Sequence, residues 1–162
     1  MHDRKVMFNL VFEAAPYTLN TFARDPEYMN ASAGISSVLH TWEQLSFHSY
    51  VHCIVTGSGW RNNDHQWVEA RKAKYKVLFS VQAMGKVYCV YFIKHLDLLK
   101  QQGHHKITND QKAGWYNFIH TLRSKEWVVY AKEPFGGPAQ VIEYLRIPTR
   151  SPFKASDQQR IR

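Results

Sequence analysis

Apolar and β-branched residues crowd VMFNLVFEA (residues 6–14), a composition that predicts a strand. Pro16 then opens TLNTFARDP, where Leu19, Phe22 and Ala23 follow a helical spacing until Pro26 stops the run. GISSVLHTWE (34–43) and SYVHCIVTG (49–57) predict two strands with a connection short enough to pair them as a hairpin. Gly57, Gly59, Asn62 and Asn63 mark a turn after the second, and HQWVEARK (65–72) reads as a weaker strand. A long helix is predicted over 81–103, closed by Gly103, and another from Asp110 as N-cap through Trp115, Phe118, Ile119 and Leu122. EWVVYAK (126–132) predicts a strand. In FGGPAQVIEYL (135–145), Pro138 stands at the first helical position behind two glycines, with Val141, Tyr144 and Leu145 on one face. Interspersed strands and helices with a hairpin imply an α+β fold, an antiparallel central sheet with helices packed on it.

Composition narrows the class. Hydrophobic residues at 44% and aromatics at 14% exclude a disordered chain, and 162 residues suffice for one core. A net charge of +8 favours a polyanionic partner, with nucleic acid the leading candidate. Cys53 and Cys89 form no CxxC pair, which argues against a zinc ribbon or a disulfide scaffold and predicts a reducing, cytoplasmic setting. No apolar run is long enough to cross a membrane, since Lys86 and Lys94 bracket the best candidate. The stretch from Pro148 is basic and broken by proline, so residues 1–147 are expected to form the core and 148–162 a tail.

The chemistry centres on HSYVHCIVTG. Residues two apart on a strand share a face, so a His-hydrophobe-His triplet presents two imidazoles side by side. Here the triplet reads Tyr50-Val51-His52. By residue type alone, a single strand histidine is more often a hydrogen-bonded structural residue than a metal ligand.

Two stretches shift that balance. VLHTWEQLSFHSYVHCIVTGSG (38–59) and EWVVYAKEPFGGPAQVIEYL (126–145) resemble the two-tyrosine rolling-circle transposases of the IS-ninety-one group, within the His-hydrophobe-His (HUH) endonuclease superfamily. The Tyr-Ala-Lys, the Pro-Phe-Gly-Gly-Pro turn and the tyrosine-bearing helix carry the likeness most specifically. The resemblance implies an HUH-like sheet facing a helix with a nucleophilic tyrosine, and a divalent ion, magnesium or manganese, polarising the scissile phosphate of single-stranded DNA at transposon ends. It assigns Tyr144 as nucleophile. His52 matches the second histidine of the metal set, which Gln44 completes and Tyr50 joins. Lys132, Gly136 and Gly137 are expected to contact phosphate ahead of a helix N-terminus.

The chain also departs from that pattern. Tyr50 occupies the first histidine's position, and a phenol titrating near ~10 gives up roughly 4 kcal/mol to become phenolate at neutral pH unless a metal supplies it. One residue is missing between Gln44 and Phe47 relative to the family, which brings Glu43 forward as a replacement ligand. Pro148 replaces the second tyrosine, and the family's cysteine-rich N-terminal region is absent. From these departures a truncated, degenerate copy is expected, for which the alternative to metal-dependent nicking is a catalytically dead DNA-binding remnant. His48 shares the face of His52, while His104 and His105 fall at a helix end. Trp42, Trp115 and Trp127 are expected in the core.

Overall fold

The computed structural model describes residues 2–41, 49–71, 77–102 and 112–146. It opens with a helix, α1 (His2–Arg24), where a strand is predicted over 6–14. The correction has a visible cause. Leu10, Ala14, Thr18 and Phe22, four residues apart, are all buried and form one stripe along the helix. β-branched and aromatic composition yields to that stripe, because burial outweighs the fraction of a kcal/mol that separates local propensities. Pro16 lies inside α1 rather than opening a helix. It cannot donate to the Phe12 carbonyl, and the next turn is held by Thr18, whose hydroxyl donates to the Ala14 carbonyl at 2.8 Å.

After Asp25, whose carboxylate accepts from the Glu27 amide at 2.8 Å, the chain turns through Asn30 at φ 55° into the sheet. β1 (Ser32–Thr41), β2 (Ser49–Arg61) and β3 (Gln66–Glu69) form an antiparallel sheet in the order β1-β2-β3. The expected hairpin pairing is therefore present, with β2 central. Val38 lies opposite His52 and His40 opposite Tyr50, and the register shifts between Ala33 and Ile35. The turn through residues 62–65 is closed by Arg61, which holds the Asp64 carboxylate and keeps it below its ordinary range.

α2 (Val81–Gln101) begins at Ser80, whose hydroxyl accepts from the Ala83 amide, and ends where the Gln102 amide donates to the Leu98 carbonyl. α3 (Lys112–Ser124) packs on α2, and α1 packs on both the sheet and α2. Gly103 and Asp110 lie outside the described residues. Two buried groups make up the core. Phe22, Ala23, Phe79 and Met84 join α1 to the start of α2, with Ala33 and Val55 of the sheet against them. Leu10, Phe92 and Leu96 join α1 to the rest of α2, covered by Trp115 and Trp127. Both tryptophans are half-buried against the core as expected, and their ring nitrogens donate to Asp97 and to the Leu122 carbonyl, while Trp42 lies outside the described residues.

Residues 126–132 form no strand, contrary to the expectation for EWVVYAK. Their side chains still alternate, with Trp127, Val129 and Ala131 inward and Val128 and Tyr130 about two-thirds exposed. Strand propensity is thus expressed as alternation without a ladder, because the inward residues are fixed by helices rather than by a neighbouring strand. Residues Met1–Lys132 form one compact unit and Glu133–Arg162 a second, which contains α4 (Pro138–Arg146). Pro138 stands at the first position of α4, as its sequence predicts. The architecture is α+β, and no described helix is long and apolar enough to cross a membrane.

Candidate functional site

β2 has two unlike faces, and the packing of α1 and α2 decides which is which. Cys53 and Val55 point toward the helices. The Cys53 thiol lies 3.2 Å from the Ser37 hydroxyl, and burial pushes its titration up, partly offset by that hydrogen bond. Tyr88 of α2, whose hydroxyl donates to the Val11 carbonyl of α1, is driven well above the ordinary phenol range by burial and then by Cys53. This side of the sheet is filled.

Tyr50, His52 and Ile54 point the other way, with Val38 beside them 48% exposed. The rings of Tyr50 and His52 meet edge to face, with centroids 5.0 Å apart and planes at 76°. Imidazole and phenol therefore stand side by side on the central strand, half-buried, on the sheet face turned from α1 and α2. That arrangement follows from the two-residue spacing. Gln44, Glu43 and His48 lie outside the described residues.

An imidazole nitrogen and a phenol oxygen are chemically compatible donors for manganese or magnesium, though a hard cation asks for more oxygen ligands than one phenol supplies. Among the described residues no three His, Cys, Asp or Glu side chains gather in a metal-holding cluster. The described part of the site amounts to two donors.

The second unit carries Tyr144, Gly136 and Gly137. Tyr144 lies in the last turn of α4. At the start of that helix the Gly136 amide donates to the side-chain oxygen of Gln140 at 2.6 Å, and the Val141 amide reaches the Gly137 carbonyl. The Gly136 donor, expected to face phosphate, is thus held by the helix itself, and an anion there has to displace Gln140. Lys132, at the end of the first unit, is exposed.

Sequence reading passed over one aromatic pair. Trp60 on β2 and Trp67 on β3 are cross-strand partners with ring centroids 6.4 Å apart, 41% and 62% exposed. The signal was the turn at 62–65, which fixes the register that brings them together.

Residues 34–155 match a family described as "Putative transposase" (Y2_Tnp). Over 149 residues, 88% of its length, the chain is 32% identical to the protein named "Putative transposase y4qJ" of Sinorhizobium fredii. The match covers 37% of that protein, so the chain spans little more than a third of the length of this relative. No solved structure matches.

Proposed function

From the chain's membership of the Y2_Tnp transposase family, to which it belongs, we propose that it is the nicking and strand-transfer core of a DNA transposase acting on single-stranded transposon ends. The observation that carries the reading is the pairing of His52 with Tyr50 on the face of the central strand turned from α1 and α2. A half-buried imidazole there helps hold a phosphodiester, in the manner of an HUH endonuclease.

Tyr144 is the nucleophile. Its hydroxyl oxygen attacks phosphorus and the bond to the 3′-oxygen breaks. The phenol proton passes to that oxygen, leaving a 5′-phosphotyrosine and a free 3′-hydroxyl, and the ester keeps the phosphodiester energy for transfer to a second strand. Magnesium or manganese would be held by His52 with Tyr50 and Gln44, and would supply Lewis-acid polarisation of the phosphate. Lys132 contributes a cation to the phosphate, and the amide of Gly137 a donor at the start of α4. The amide of Gly136 joins them once Gln140 is displaced.

One observation favours a second reading. A phenol stands where the family has its first imidazole, which weakens metal binding and fits a remnant that binds DNA without cutting it. The two readings separate in one assay, incubation with single-stranded oligonucleotides and manganese followed by a denaturing gel. The nicking reading expects a covalent adduct that Tyr144→Phe abolishes and Tyr50→His increases. An adduct only in Tyr50→His assigns the remnant, and an adduct that survives Tyr144→Phe overturns the choice of nucleophile.

A further inference from the structure

A trough of about 1190 Å³ runs between α2 and α3 and is floored at one end by residues 125–127. Its wall on α2 extends from Gln82 to Gln101, which at ~1.5 Å per residue makes it ~28 Å long. The trough faces away from the side of α2 that meets α1 and the sheet, where Met84 packs near Val55 and Tyr88 lies close to Cys53. It is therefore a different surface from the one that bears His52.

Four cations line it: Lys86 and Lys94 from α2, Arg123 from the end of α3, and Lys125 just beyond. Among the described residues none of them forms an ion pair. Of the two acids in the wall, Asp97 already accepts from the Trp115 indole at 3.2 Å and from Gln101 at 3.3 Å. Lys86 and Lys94 are two helical turns apart and both exposed, so they offer two cationic points ~12 Å from one another along one edge. Tyr116 sits in the same trough with 71% of its surface open, next to Trp115 and within reach of the Lys100 ammonium at 5.9 Å. A merely solvated helix face needs neither the concavity nor an open aromatic. Cations spaced along a groove with an accessible ring beside them match a single strand, whose phosphates track the charge while a base stacks on the ring.

We propose that the α2–α3 trough is a second single-stranded DNA-binding surface, separate from the His52 face, which holds a length of strand while the reacting phosphate is handled elsewhere. The proposal rests on the transposase reading for the identity of its ligand. Its free energy comes from counterion release and stacking, so its signature is a salt slope rather than a change in chemistry.

The test is fluorescence anisotropy of a labelled oligothymidylate over a range of salt, on the whole chain, run beside the adduct assay. Lys86→Gln with Lys94→Gln removes two phosphate contacts and lowers the slope of log affinity against log salt by about 1.4. Tyr116→Ala weakens binding at least about fivefold with the slope unchanged. Arg24→Gln, off the trough, moves neither. If the trough variants bind as the wild type does, the trough proposal is overturned whether or not an adduct forms. If the slope falls as expected while no adduct appears, the nicking reading alone is lost. A wild type that binds no single strand refutes both, and equal losses in Arg24→Gln reduce the effect to bulk charge and overturn the trough.

Discussion

Gly85 sits inside α2, at its second turn, where alanine ordinarily stabilises a helix by ~0.8–1.0 kcal/mol over glycine. Here a Cβ would lie 2.2 Å from the Trp127 carbonyl oxygen, well inside contact distance, and the atom in the way is backbone rather than a side chain that can swing aside. Relief requires residues 126–128 to lift off the helix, at an overpacking cost of ~3 kcal/mol, the upper end of the usual range. The net effect of Gly85→Ala is then a loss of ~2 kcal/mol. For a chain of this size that lowers Tm by about 4–8 °C. Gly114 on α3 is the control, since a Cβ there meets nothing within 4 Å, and Gly114→Ala raises stability by up to ~1 kcal/mol. Urea midpoints and thermal melts of the two variants should move in opposite directions. If Gly85→Ala also stabilises, the backbone at Trp127 does not rest on α2, and the packing of residues 126–128 against that helix fails.

Leu96→Ala removes a side chain only 2% exposed between α1 and α2, at a cost of ~2–5 kcal/mol in urea unfolding. A loss below ~1 kcal/mol means that this group does not form the core. Burial raises the Cys53 thiol in the folded state, so its contribution to stability is complete below the ordinary thiol value of 9.0 and is lost as pH climbs through the folded value. Urea midpoints taken from pH about 8 to about 10 should decline, less steeply in Cys53→Ala, and an identical decline in that variant refutes the assignment. Iodoacetamide should label Cys53 more slowly in the folded chain than in urea.

Local patterning determined those elements whose signals lie within a few residues of one another. The hairpin over 34–57 follows from two β-rich runs and a short connection, α2 from its long apolar periodicity, and α4 from Pro138 behind two glycines. The side-by-side placement of Tyr50 and His52 needs only the two-residue repeat of a strand. Tertiary structure decided the rest. Residues 6–14 carry strand-forming side chains, yet they coil because Leu10, Ala14, Thr18 and Phe22 meet the sheet and α2 on a single stripe, and neither partner is local. Residues 126–132 keep a strand's alternation but gain no ladder, since hydrogen-bond partners for a strand come from elsewhere in the chain. Which side of β2 is covered was also settled at long range, when α1 and α2 packed on Cys53 and Val55 and left His52 on the other face. A sequence states what each side chain prefers, while burial is a property of pairs of segments and exists only once they meet.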